Sequence, residues 1–455
     1  MAQTRHPHPH PHPLPQPVFG EPVFSEGTFL QDPTGFSTTH PSDGAQYKEL
    51  GNLLKKDVVS FEKSRGGNSD LYTLESAYGP HGQAVVGKIK DAKQIVFHSV
   101  GDTGASAPRK YKSELHVFDQ MARDASTAKP GEQPAFLFHL GDVVYSFGES
   151  RYYYDQFYEP LRNYPAPVLA IPGNHDSFLI PGTADQDAPL TIFQRNFCAD
   201  KPAITPEAGS LHRTSMTQPG LYFALDAPFV RIIALFSNAL EDPGLISSQG
   251  GHWSGVPDVQ LDFLGAQLEK IRTEKYTGAV LIAFHHPPFS YAEQGRGGRS
   301  AAGGNHSSST DMLREIDGVC KDKGVYPHAF LCGHAHNYQR YTRTVRFGGK
   351  ELDVPFVVCG SGGHNVNPIV RGKHGQPAQE PDFGTHVDYL DVKPAIETGG
   401  LLLEKYDDRN FGYLRVAVDA QQLRIAFNHV LSSDPTQSRF DMVTIDLASH
   451  TMVAN

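Results

Sequence analysis

From about residue 93 onward, apolar residues come in short, β-branched runs, and most of these runs stop at a glycine, a proline or an ionisable group. The runs are "QIVFHSV", "AFLFHL", "APVLAI", "FVRIIALF", "AVLIAF", "HAFL" and "VPFVVCG". Short apolar runs bounded by turn formers predict buried strands. Between them, "KSELHVFDQMARDA" and "DVQLDFLGAQLEKIRTEK" space their apolar residues as surface helices do. Strands alternating with helices imply a layered α/β domain whose active groups sit at strand ends. After residue 400, "GYLRVAVDA", "LRIAFNHV" and "MVTIDL" alternate polar with apolar, the pattern of half-buried antiparallel strands. Ahead of the first run, "QYKELGNLLKKDVVSFEKS" reads as a helix. The His-Pro alternation of "MAQTRHPHPHPHPLPQPVFG" reads as an extended, disordered tail without the apolar segment of a leader. The expected division is an arm at 1–45, an extension packed on the core at 46–92, and one large domain at 93–455.

Composition narrows the field. With 39% hydrophobic residues in 455, the chain can bury a sizeable core. A balance of 40 basic to 50 acidic residues, net −10, argues against a nucleic-acid or membrane-surface binder. No run approaches the roughly 18 apolar residues of a membrane span. The four cysteines form no disulfide framework; Cys332 and Cys359 lie in apolar runs and read as buried thiols, with a single disulfide left open.

The chemistry follows the runs. "IVFHSV" leads into "GDTG", "FLFHL" into "GDVVY", and "PVLAI" into "PGNHD"; "VLIAF" is followed by "HHPPF" and "HAFLC" by "GHAHNYQR". Five strands thus end in Asp102, Asp142 with Tyr145, Asn174 with His175, His285 with His286, and His334 with His336. Any one of these is weak, because a "GD" is often a turn and a lone strand-end histidine is often structural. Five at the same end of a sheet are expensive to bury without a cation. Oxygen and imidazole donors suit iron, zinc or manganese. His98 and His139 fall inside strands and read as core histidines; His286 reads as packing beside a ligand.

The ordered string GDTG, GDVVY, GNHD, a histidine after an apolar run, and GHAH resembles the calcineurin-like metallophosphoesterases, and within them the purple acid phosphatases. The likeness covers roughly residues 93–430, including "GLYFALDAPFVRIIALFSN" and "VVCGSGG". The first motif lacks the Asp-x-His of ordinary metallophosphoesterases, and a tyrosine stands three places after the second aspartate. If the chain turns helical after Asp142, Tyr145 shares its face. The resemblance implies a two-sheet β-sandwich flanked by helices and a dinuclear centre. Asp102, Tyr145 and His336 would hold a ferric ion, Asp142 would bridge, and Asn174, His285 and His334 would hold a divalent zinc, iron or manganese. The two histidines of "GHAH" would then serve different ions.

The implied activity is hydrolysis of small phosphate monoesters, with a phosphodiesterase or nucleotidase as the alternative and a non-catalytic scaffold disfavoured because no ligand is missing. A monoester repels hydroxide, so two cations supply both charge and a water that deprotonates far below its bulk pKa; a trivalent ion extends activity to acidic pH. His175 would either protonate the leaving group or orient a ligand. In the loop "EQGRGGRSAAGGNHSSST", Arg296 and Arg299 are candidate substrate contacts and His306 a candidate second acid, with a solvated lid as the plainer reading. His364, in the Gly-rich stretch after "VVC", is a further candidate at the pocket. The family is mostly exported, which the N-terminus as given does not match.

Overall fold

The computed structural model describes residues 64–105, 108–145, 148–177, 190–209, 211–237, 259–291, 310–369, 380–387, 394–430 and 438–454. The expected arm at 1–45, the helix expected across "QYKELGNLLKKDVVSFEKS" up to residue 63, and the loop bearing Arg296, Arg299 and His306 lie outside these residues. In chain order the main elements are β1 (Tyr72–Thr73), α1 (Gly82–Ala92), β2 (Gln94–Val100), α2 (Pro108–Thr127), β3 (Pro134–His139) and β4 (Val168–Ala170). Then come β5 (Phe223–Ala227), β6 (Val230–Ala234), α3 (Val259–Thr273), β7 (Ala279–Phe284), α4 (Thr310–Lys323) and β8 (Ala329–Cys332). The remaining strands are β9 (Tyr338–Phe347), β10 (Lys350–Cys359), β11 (Thr385–His386), β12 (Glu397–Asp407), β13 (Phe411–Asp419), β14 (Gln422–Val430), β15 (Ser438–Asp446) and β16 (Thr451–Val453).

These strands form two mixed sheets. One has the order β1-β5-β6-β7-β8-β10-β9-β12-β11, the other β16-β15-β14-β13-β2-β3-β4. Along the buried strands successive side chains point to opposite faces, with the period of two that a pleat demands. Ile232 of β6 and Leu281 of β7 enter one core with Phe97, Phe136 and Val416 of the other sheet. Ile233 and Ile282, one step on, enter a second core with Phe263 of α3 and Ile316 of α4. Both faces of β6 to β8 are therefore covered, which is why their sequences are continuously apolar. The result is the expected α/β sandwich flanked by helices.

Two expectations change. The strand ends carrying the motifs belong to two sheets, not one: β2, β3 and β4 run parallel in the second sheet, β7 and β8 in the first. Periodicity reports burial but not sheet membership. No helix follows Asp142 either; residues 143–145 are an irregular bend. None of the four cysteines is bridged, and all are buried. Among the described residues no helix is long and apolar enough to cross a membrane.

Candidate metal centre

Each motif turns sharply where its strand stops. Asp102, Asp142 and His334 all adopt positive φ (58°, 54° and 66°), a conformation that costs a non-glycine residue energy unless its surroundings enforce it. Glycines make room for them. Gly141 itself has φ 96°, and a β-carbon on Gly173 would collide with Asp142 Oδ1.

Buried side chains then lock the turns. The Asp176 carboxylate accepts the N–H groups of Val143 (3.0 Å), Val144 (3.2 Å) and Gly173 (2.8 Å), tying the second motif to the third. The Gln156 amide, on a π-helical turn at Tyr154–Tyr158, brackets the Tyr145 backbone: its Oε1 accepts from Tyr145 N (2.8 Å) and its Nε2 donates to Tyr145 O (2.5 Å). These contacts, rather than a helix, bring Tyr145 over Asp142. His139 Nδ1 accepts from Gly141 N, which leaves Nε2 to donate to Thr103, and burial pulls its pKa down to about 3. It is the core histidine the sequence suggests. So is His98, buried between Asp124 and Tyr164.

The side chains so placed converge in two groups that share one member. The Tyr145 hydroxyl lies 3.0 Å from Asp102 Oδ1, 2.7 Å from Asp142 Oδ2 and 3.0 Å from His336 Nε2. Asn174 Oδ1 lies 3.1 Å from both His285 Nε2 and His334 Nδ1, and His285 Nε2 is 3.4 Å from Asp142 Oδ2. Asp102, Asp142 and His336 offer ligand atoms within 4.8 Å of one another, and so do Asp142, His285 and His334. Asp142 stands in both sets, and the two histidines of "GHAH" fall in different ones.

A model of the calcineurin-like phosphoesterases matches residues 96–338, more than half of the chain. The chain belongs to the calcineurin-like phosphoesterase family. Among solved structures it is similar to GAP50, the anchor in the inner membrane complex of Plasmodium, at 10% identity over 76% of this chain and 88% of that one, TM-score 0.44. It is similar to PhoD at 13% identity over 80% and 72%, TM-score 0.46. A conserved uncharacterized protein of Streptococcus pneumoniae, a predicted phosphoesterase, matches at 11% identity over 76% and 97%, TM-score 0.25. No curated protein matches.

Calcineurin-like phosphoesterases are metal-dependent hydrolases that use a dinuclear centre, and the residues here fit such a centre. A phenol has one proton, yet the Tyr145 oxygen has two carboxylate oxygens and an imidazole nitrogen around it. A cation satisfies this set of acceptors where a proton cannot. His285 Nδ1 is turned to the Leu140 carbonyl (2.7 Å), which leaves Nε2 facing Asp142 and Asn174, as a second-sphere contact does for a ligating imidazole. The electrostatics agree. Burial pulls the His285 imidazolium down, but the charges of Asp142 and Asp102 outweigh it and hold its pKa up at about 9. Burial lifts Asp102 well above the usual carboxylate range, with Asp142 adding to the rise, whereas His285 and His175 hold the equally buried Asp142 well below it. The Tyr145 phenol is pushed well above its ordinary value by burial and then by the two carboxylates.

Other candidates sit around this core. The His175 backbone N–H donates to Asp142 Oδ1 (2.9 Å), and its ring lies 4.2 Å from that of Tyr145. His364 stacks on the Tyr145 ring, centroids 3.5 Å apart. His286 is buried 4.3 Å from the His334 ring and held by Ser237. Asp176, Gln156, Ser237 and Lys110, whose Nζ is 2.6 Å from His364 Nε2, were not singled out by the sequence. Only Asp176 carried a signal, as the last residue of "GNHD".

Proposed function

We propose that the chain is a purple acid phosphatase-like monoesterase, in which Asp102, Tyr145 and His336 hold a ferric ion. Asn174, His285 and His334 would hold a divalent zinc, iron or manganese, and Asp142, which stands in both sets, would serve both ions. The observation that carries this reading is the Tyr145 phenol oxygen, 2.7–3.0 Å from Asp142, Asp102 and His336. A phenolate is a hard anionic donor suited to a trivalent ion. Once bound, the ions supply positive charge for the phosphoryl oxygens and a low-pKa water as nucleophile.

The chain's own residues do the rest. Asp142 and Asp102 supply the negative charge that draws cations in, and their fixed backbone geometry keeps them from spreading apart. His175, anchored through its N–H to Asp142 and packed on Tyr145, presents an imidazole to the leaving-group oxygen and donates a proton as the ester bond breaks. Closure by buried neighbours such as His285 and His286 excludes bulk water, which strengthens each of these interactions. A division into an extension at 46–92 and a catalytic domain at 93–455 belongs to the same proposal, supported by the pairing of β1 with β5.

The test is metal analysis and a visible spectrum of the freshly purified protein. The reading requires iron, a tyrosinate charge-transfer band, and preference for para-nitrophenyl phosphate over its bis ester. Tyr145→Phe is expected to bleach the band. An active, colourless, iron-free wild type would overturn the ferric assignment, and a bis-ester preference would overturn the monoesterase.

A further inference from the structure

The centre is closed on most sides. Asp102, Asn174, His285 and His286 have no exposed surface, whereas His175 and His364 each keep 8% and His336 is partly exposed. These last three lie around Tyr145: the His175 ring at 4.2 Å from it, His364 at 3.5 Å, and His336 at 5.2 Å from His364. They mark the side from which a substrate can arrive.

His364 is held there at both ends. Its backbone N–H donates to the Asp102 carbonyl (3.1 Å), and its Nδ1 donates to the Gly104 carbonyl (2.6 Å). That tautomer leaves Nε2 as an acceptor, and Lys110 Nζ meets it at 2.6 Å. Lys110 stands on the first turn of α2, whose N-terminal pole adds to the positive field. Its side chain is half-buried, so its charge is only partly screened by water. The imidazole acceptor is neutral, so this contact orients the ammonium without cancelling its charge.

We propose that Lys110, oriented by His364 at the open side of the centre, is a specificity-determining residue that attracts the second negative charge of a phosphate monoester. The inference rests on the monoesterase reading and names how that preference is enforced. A monoester gains its second charge near pH 6, whereas a diester never carries it. Burial, with Arg109 next to it, pulls Lys110 down to about 8, which leaves the ammonium charged while the ester is already a dianion. A charged hydrogen bond in a poorly screened site discriminates by about tenfold or more.

The experiment compares metal-loaded wild type with K110M and K110R on para-nitrophenyl phosphate and bis(para-nitrophenyl) phosphate, and measures inhibition by inorganic phosphate. K110M is expected to lower kcat/KM for the monoester by about tenfold, mainly through KM, and to weaken phosphate inhibition in step. The diester should stay within about twofold, and K110R should retain most of the preference. Equal losses on both esters, or unchanged phosphate inhibition, would overturn the assignment and make Lys110 a prop for His364. A wild type that prefers the diester overturns the monoesterase reading itself. A monoester-preferring wild type whose ratio K110M leaves unchanged overturns only the role of Lys110. Should K110M fail to give a native circular-dichroism spectrum, K110Q takes its place with the same two outcomes.

Discussion

His175 meets the centre twice, through a backbone N–H that donates to Asp142 Oδ1 and through a ring packed on Tyr145, and the two contacts separate roles that are usually confounded. The N–H that braces Asp142 Oδ1 survives any side-chain substitution except proline. His175→Asn should therefore keep both metals while turnover of alkyl phosphates, which need a protonated leaving group, falls by about 10²-fold. Metal analysis and kcat on an alkyl ester check it; wild-type turnover would remove the acid role and leave a packing role against Tyr145. Residues of this kind were legible because each follows an apolar run. Asp176 was half legible: it adjoins the motif, but nothing in its neighbours reveals that it accepts three N–H groups. Gln156 was not legible at all, because a glutamine inside a tyrosine-rich helical turn has no pattern to mark it.

At the scale of elements, the strands that could be read in advance are those that are apolar almost throughout, as β6 to β8 are, or that alternate polar with apolar, as β13 to β15 do. β9 was missed because "YQRYTRTVRF" looks polar, although Arg343 is buried against Asp317 (2.6 Å) and Tyr341 enters the core. A buried ion pair disguises a core strand. β12 was missed for a related reason, beginning with "ETGG" before its apolar positions. The turns at the strand ends could be located but not resolved, since positive φ at an aspartate follows from its tertiary surroundings. Gly173 makes the point testable. A methyl there would strike Asp142 Oδ1, the atom already accepting from His175 N, and also the Asp142 backbone nitrogen, so Gly173→Ala must shift the turn that carries the Asp142 carboxylate. The expected result is a native circular-dichroism spectrum with metal affinity weakened by about tenfold or more. Full metal occupancy in equilibrium dialysis would show that the turn has more slack than the packing implies.

At the scale of the molecule, the site lies on a seam. Asp102, Asp142 and Asn174 follow strands of one sheet, His285 and the two histidines of "GHAH" follow strands of the other, and Gly101 N–H donates across to the Cys359 carbonyl (2.9 Å). Cations bound there would cross-link the two layers of the sandwich, so metal occupancy and global stability should be coupled. The pH dependence gives the coupling a sign. In chelated protein His285 has a folded-state pKa of about 9 against an ordinary 6.5. A raised pKa contributes stability that is complete below pH 6.5 and is lost as pH rises through 9. Asp102, raised as well, changes stability in the same direction at lower pH. Metal binding has the opposite slope, because an ion must displace the His285 proton and its affinity rises by up to about tenfold per unit until that proton is gone. The melting temperature of chelated protein should therefore fall between pH 6.5 and 9 while that of loaded protein holds, and the gap between them should widen. Differential scanning calorimetry with and without chelator measures both curves. A gap that stays constant across that window would mean that His285 does not compete with the ions, and the second ligand set would have to be redrawn without it.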